Sequence, residues 1–131
     1  MDDIVKIGAG NIGAILKGEG PAGLGHPFAN PIYLIDIHIA GTTYVLDIDE
    51  LEPDLKIGQK LKFYREPQNM HDPLAILIRD DEGNKLGYVP KKTNPILSRL
   101  MDAGKILYGI IREKEYVDTW LKIMVQVYLD D

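Results

Sequence analysis

Past Pro31, each β-rich run of this chain is halted by glycine, proline or an acidic turn before it could build a long helix. Residues 32–40 (IYLIDIHIA) stop at Gly41-Thr42-Thr43, residues 61–65 (LKFYR) run into Pro67, and residues 85–89 (KLGYV) into Pro90. Between them, residues 74–79 (LAILIR) are the most apolar stretch and end at Asp80-Asp81-Glu82-Gly83-Asn84. Short runs at regular spacing, each bounded by turn chemistry, predict a mainly β domain closed as a small, partly open barrel or sandwich.

The pass along the chain predicts six or seven strands. Residues 32–40 and 44–46 form a first hairpin around Gly41, and residues 47–55, acidic with Pro53 inside, make a short helical turn or loop. Residues 61–65, 74–79 and 85–89 are strands, the last two a hairpin across a Gly-containing turn. One late α-helix follows: Asn94 suits an N-cap, Pro95 the first helical position and Gly104 the stop, with Ile96, Leu97, Leu100 and Met101 at helical spacing. Residues 106–112 and 121–129 close the sequence as two strands around a turn at Tyr116-Val117-Asp118-Thr119, and Trp120 reads as a core residue. Residues 1–30 differ in kind. They hold seven of the 13 glycines and two prolines, and are expected to be an irregular arm preceding a domain over 31–131.

Composition removes several classes of function. Without cysteine there is no disulfide framework, no thiolate zinc site and no thiol nucleophile. His26, His38 and His71 stand in unrelated contexts with no metal-ligand spacing, so neither metal nor cofactor is expected. Gly8-Ala9-Gly10-Asn11-Ile12-Gly13 matches a dinucleotide-loop pattern. However, Gly18, Gly20, Pro21, Gly23 and Gly25 interrupt the helix that would have to hold the pyrophosphate. The acidic start, Met1-Asp2-Asp3, and the lack of any apolar run of membrane-spanning length lead to the expectation of a cytoplasmic protein. The net charge is −5, yet it is segregated: residues 60–122 carry 12 Lys and Arg against 9 Asp and Glu, and the remainder 3 against 11. Attraction to phosphate depends on local field, so a basic stretch within an acidic chain can still hold an anion.

The loop between the second and third strands concentrates the candidate chemistry. Tyr64-Arg65-Glu66-Pro67-Gln68-Asn69-Met70-His71-Asp72-Pro73-Leu74-Ala75-Ile76, followed by Asp81-Glu82-Gly83-Asn84-Lys85-Leu86-Gly87-Tyr88-Val89-Pro90, resembles the signature of the HIRAN domain family. Arg-x-Pro-x-Asn-x-x-Asp-x-x-Ala-Ile is kept at fixed spacing, as is the Gly-Tyr-aliphatic-Pro strand before the helix. The resemblance covers about residues 31–131 and implies an OB-like β-barrel with the late helix. It also implies non-catalytic capture of single-stranded DNA at a 3′ end, in repair or replication-associated processes. The sequence departs from the family at His71, which stands where the family has a base-stacking tyrosine.

From their chemistry alone, Arg65 offers a planar fork for phosphate, Asn69 donates and accepts, and Asp72 could accept a hydrogen bond from a terminal hydroxyl. His71, Tyr64 and Tyr88 offer rings for stacking, Lys91 and Lys92 would follow the backbone, and His38 and Tyr44 are further candidate walls. The same residues admit plainer roles. Asn69 and Asp72 can close turns onto the backbone, Arg65 can pair with Glu66 or Asp72, and Tyr88 can be a half-buried strand residue. Two rival functions follow. One is an assembly module in which residues 1–30 exchange between copies or dock on a larger DNA-processing enzyme. The other is a metal-assisted nuclease built on His71 and Asp72.

Overall fold

The computed structural model describes residues 30–130. Residues 1–29 of the expected arm, with its glycine motif and His26, lie outside them.

Six strands make one antiparallel sheet: β1 (Ile32–His38), β2 (Lys60–Arg65), β3 (Ile76–Arg79), β4 (Lys85–Tyr88), β5 (Ile106–Val117) and β6 (Trp120–Asp130). Their order across the sheet is β1-β6-β5-β2-β3-β4. Side chains alternate sharply. On β6, Leu121, Ile123, Val125, Val127 and Leu129 are buried while the residues between them are part-exposed, so one face of the sheet forms the core. Leu61, Phe63, Ile78, Leu86, Leu107 and Ile111 meet them from the other strands. At about 1.5–3 kcal/mol per fully buried aliphatic side chain, this inner face is the main source of stability.

The sheet curls until its two edges touch. Beyond β1, the Ile39 N–H donates to the Ile123 carbonyl, and Ala40 then exchanges both backbone hydrogen bonds with Tyr88 on β4, at 2.8 and 2.9 Å. Gly87 permits this closure. It has a φ of 151°, and a Cβ there would collide with the Ala40 carbonyl oxygen and the Ile39 side chain. The result is the mainly β, OB-like barrel that the short runs foreshadow.

Four local expectations are corrected. Residues 44–46 are not a strand, and β1 has no hairpin partner there; it pairs with β6 instead. Gly41, at φ 80°, leads into a 3-10 turn over Thr42–Tyr44, where the buried Thr42 hydroxyl donates to the Leu121 carbonyl at 2.8 Å. Tyr44 and Leu46 are left almost fully exposed. The acidic stretch does form a short helix, α1 (Ile48–Leu51), continued by a 3-10 turn over Glu52–Asp54.

The late helix α2 (Asn94–Asp102) has Thr93 at its N-cap position, without a side-chain capping bond, one residue before the expected Asn94. It buries Leu97, keeps Leu100 and Met101 partly buried against the core, and leaves Ile96 exposed. Gly104, at φ 93°, ends it as predicted. Finally, β5 and β6 run longer than their apolar segments. They extend to a two-residue turn at Asp118-Thr119, with Asp118 in the left-handed region at φ 57° that such turns require. Trp120 is only half-buried, its ring edge-on to His38 at 6.0 Å, so it is not a core residue.

Candidate nucleic-acid interface

Two X-Pro turns shape the loop between β2 and β3. Proline at the second position favours a β-turn, and Glu66-Pro67-Gln68-Asn69 and Asp72-Pro73-Leu74-Ala75 each close with an i to i+3 backbone bond, at 3.0 and 3.1 Å. Asn69 Oδ1 accepts from the N–H groups of His71 and Asp72, and Asp72 Oδ1 accepts from the Leu74 N–H. The side chains expected to close turns do so, which holds the loop in a single conformation.

The remaining polar atoms tie this loop to β4 and α2. Asn69 Nδ2 donates to Glu66 Oε1 at 3.0 Å, and the Tyr88 hydroxyl donates to the same oxygen at 2.8 Å. Asn94 Nδ2, from the first turn of α2, donates to Asp72 Oδ2 at 2.8 Å. Between the three elements lies an open pocket of about 300 Å³. It brings together five of the predicted residues: Asn69, His71, Asp72, Tyr88 and Lys91. It also adds Lys85, whose ammonium sits 4.9 Å from the Tyr88 ring centroid, and the buried Asn94.

Four predicted residues lie elsewhere. Arg65 borders a neighbouring hollow with Glu66 through Asn69, and its guanidinium is turned onto the protein. It grips Asp102 with Nε and Nη2, at 2.9 and 3.2 Å, and donates to the carbonyls of Ala75 and Pro73 at 2.8 and 3.1 Å. Its acidic partner is therefore Asp102, at the end of α2, and not Glu66 or Asp72. Tyr64 is exposed on the outer face of β2 with Arg79 5.4 Å from its ring centroid. Lys92 is exposed before α2, and His38 lies against Trp120 on β1.

The electrostatics of the pocket follow from these bonds. The Asn94 amide, then the Leu74 N–H, holds the Asp72 carboxyl below its usual range. Partial burial would raise Glu66, but hydrogen bonds from Asn69 and Tyr88, with the charges of Lys85 and Arg79, outweigh it and leave that carboxyl low as well. Partial burial, reinforced by the bond to Glu66, pushes the Tyr88 phenol up. At neutral pH the pocket thus presents ionised Asp72, a protonated Tyr88 and two ammonium groups. An ionised carboxylate has about four acceptor positions, and two on Asp72 are used, so it can take a further donor from a ligand.

Among the described residues no cluster of three or more His, Asp or Glu could hold a metal ion, and no helix is long and apolar enough to cross a membrane. Lys85 and Asn94 escaped the sequence reading because each already had a sufficient local role, as a strand residue and as a cap.

Fold and pocket together define a small OB-like barrel with a polar, cation-rimmed recess at the seam of its sheet. The sequence matches the HIRAN domain family over residues 32–130, and the chain belongs to that family. The barrel is similar to the crystal structure of a protein from Lactobacillus plantarum, with a TM-score of 0.71 and 27% identity over 77% of this chain and 96% of that one. It is also similar to the crystal structure of the HIRAN domain of human HLTF, with a TM-score of 0.60 and 17% identity over 76% of this chain and 78% of that one. The NMR structure of the HLTF HIRAN domain gives a TM-score of 0.52 at 16% identity, over 77% of this chain and 80% of that one. No curated protein matches the sequence.

Proposed function

We propose that this domain is a non-catalytic DNA-binding module that takes the 3′ end of a single strand into the pocket between the β2–β3 loop, β4 and α2. One observation carries the reading: the ionised Asp72 faces an open recess whose rim holds Lys85 and Lys91. A carboxylate repels phosphate, so beside DNA it is useful where it accepts a hydrogen bond, and a terminal sugar hydroxyl is the donor that only a strand end offers. The lysines supply attraction to the phosphates behind that end, and Tyr88 and His71 supply rings against which a base can stack. The HIRAN resemblance, which implies capture of DNA ends, supports the same assignment.

In this reading Arg65 positions the loop rather than touching phosphate, because its fork is occupied by Asp102 and two carbonyls. Tyr64, Lys92 and His38 are not in the pocket's first contact layer. The test is a fluorescence titration with short oligonucleotides carrying a free or a phosphorylated 3′ terminus. Preference for the free hydroxyl, lost in Asp72→Ala, is the expected result. Equal binding to both termini would remove end recognition, and no binding at low salt would remove the DNA assignment altogether.

A further inference from the structure

The pocket leaves unexplained a set of cations on the outside of the barrel. In the strand register, Lys62 on β2 stands opposite Arg79 on β3, and Arg79 opposite Lys85 on β4. Leu61, Phe63, Ile78 and Leu86 turn inward and are buried, so these three cations project outward as a row on consecutive strands, about 4.8 Å apart from strand to strand. Like charges opposite one another across a sheet destabilise it. None of the three belongs to the ion pairs found among the described residues, Arg65–Asp102 and Lys114–Glu52. Arg79 donates to the Gly83 carbonyl at 3.4 Å, and the Glu66 carboxylate, which also accepts from Asn69 and Tyr88, offsets part of the charge of Lys85 and Arg79.

A second outward row runs beside the first. Tyr64 on β2 stands opposite Leu77 on β3, and Leu77 opposite Tyr88 on β4. Leu77 is only 3% exposed although it faces outward, and so forms an apolar floor between the two rings. Each ring carries a cation from the other row, Arg79 on Tyr64 and Lys85 on Tyr88. One strand further on, Lys60 sits 4.3 Å from the ring centroid of Tyr108. Aromatic faces interleaved with cations suit a polymer that alternates flat rings with anions, as a single nucleic-acid strand does. An acidic peptide would use the charges and leave the rings idle. Lys85 belongs both to this surface and to the pocket, which makes the two continuous.

We propose that the outer face of β2, β3 and β4 is a second contact surface for single-stranded DNA, on which the nucleotides leading to the pocket-bound end lie. Lys62 and Arg79 meet phosphates, and Tyr64 meets a base. The proposal rests on the pocket assignment for the direction of the strand, but Lys62, Arg79 and Tyr64 do not line the pocket.

The experiment compares a three-nucleotide and a twelve-nucleotide oligothymidine, each with a free 3′ hydroxyl, on the wild-type chain and on the double variant Lys62→Ala/Arg79→Ala. Both substitutions fall on exposed positions, and a circular-dichroism melt confirms that the variant folds. The wild type should bind the longer strand about tenfold more tightly than the shorter. The variant should lose that gain while binding the trinucleotide as before, and its salt slope on the longer strand should be shallower by about 1.4, for two lost phosphate contacts at about 0.7 each. A length gain and slope that survive in the variant overturn the proposal, as does a variant that weakens the trinucleotide equally. Polyglutamate competing as well as the long strand would assign the surface to acidic peptides instead. If the wild type binds the long strand, the variant loses it, and a free end confers no advantage, the pocket assignment fails and the outer surface stands.

Discussion

Replacing Arg65 with lysine separates the two roles open to that side chain. In the structure its side chain is 13% exposed and its guanidinium makes four hydrogen bonds, two to Asp102 and one each to the carbonyls of Ala75 and Pro73. Asp102 is largely open to water, so its share is screened and the magnitude must come from the two carbonyls. The bond to the Ala75 carbonyl is part-buried and the one to Pro73 exposed; a hydrogen bond from a charged donor to a part-buried acceptor contributes about 1.5–3 kcal/mol, and a lysine ammonium, lacking the planar fork, loses it. Arg65→Lys should therefore cost about 2 kcal/mol, or roughly 8 °C in Tm for a domain of this size. Thermal and urea denaturation followed by circular dichroism would measure it. Affinity for single-stranded DNA should change less than about threefold, because the fork is spent on the protein and not on phosphate. A stability loss below about 0.5 kcal/mol, together with a loss of about tenfold or more in affinity for single-stranded DNA, would show that the Arg65 fork meets phosphate and that its grip on the loop is incidental.

Other outcomes follow from the same geometry. Gly87→Ala drives a methyl group into the Ala40 carbonyl and should destabilise the barrel by about 2–3 kcal/mol, read as a lower urea midpoint at unchanged m; a neutral substitution would refute the close approach. Tyr88→Phe removes the hydroxyl bond to Glu66 and should cost about 1 kcal/mol of stability while DNA affinity stays within threefold; Tyr88→Ala should lose about tenfold or more in affinity. Asp72 and Glu66 both have depressed carboxyl pKa values in the folded state, so their contribution is complete above the ordinary carboxylate range and is lost as pH falls through the folded values. Tm should thus drop as pH falls below the ordinary carboxylate range, and Asp72→Asn should flatten that dependence; an identical profile for the variant would refute it.

What the sequence reveals here is what local chemistry decides. The β3–β4 hairpin, the turn-closing roles of Asn69 and Asp72 and the Gly104 stop depend on neighbours a few residues away, and all were legible. The partner of β1 was not. Ile32 pairs with Leu129, and no pattern within residues 32–46 announces a partner so distant, so Gly41 and the β-branched residues after it read as a hairpin turn. The same limit separates the parts of the site. Asn69 and Asp72 act within their own loop, and both their turn-closing bonds and their place at the pocket could be anticipated. The partner of Arg65 lies 37 residues along the chain and that of Asp72 lies 22, so the guanidinium looked free for phosphate and Asn94 looked like a cap. Length was misjudged for a different reason: β5 continues past Arg112 to Val117, as one strand of a two-stranded ribbon, through residues that are mostly exposed and carry little apolar pattern, while β6 opposite keeps Leu121 and Ile123 in the core.

Tyr88 serves the barrel with its peptide group and the pocket with its ring. The edges of the sheet are joined there by a single pair of backbone bonds, each contributing about 1 kcal/mol net, whereas β5 and β6 are laced together along their whole length. That seam is therefore expected to open first, with amide protons on Ala40 and Tyr88 exchanging with water sooner than those of the ribbon. If the pocket takes a ligand against the Tyr88 ring, that ligand is a latch across the gap, and its occupancy should be read as slower exchange on the far side of the joint, in the chain leaving β1.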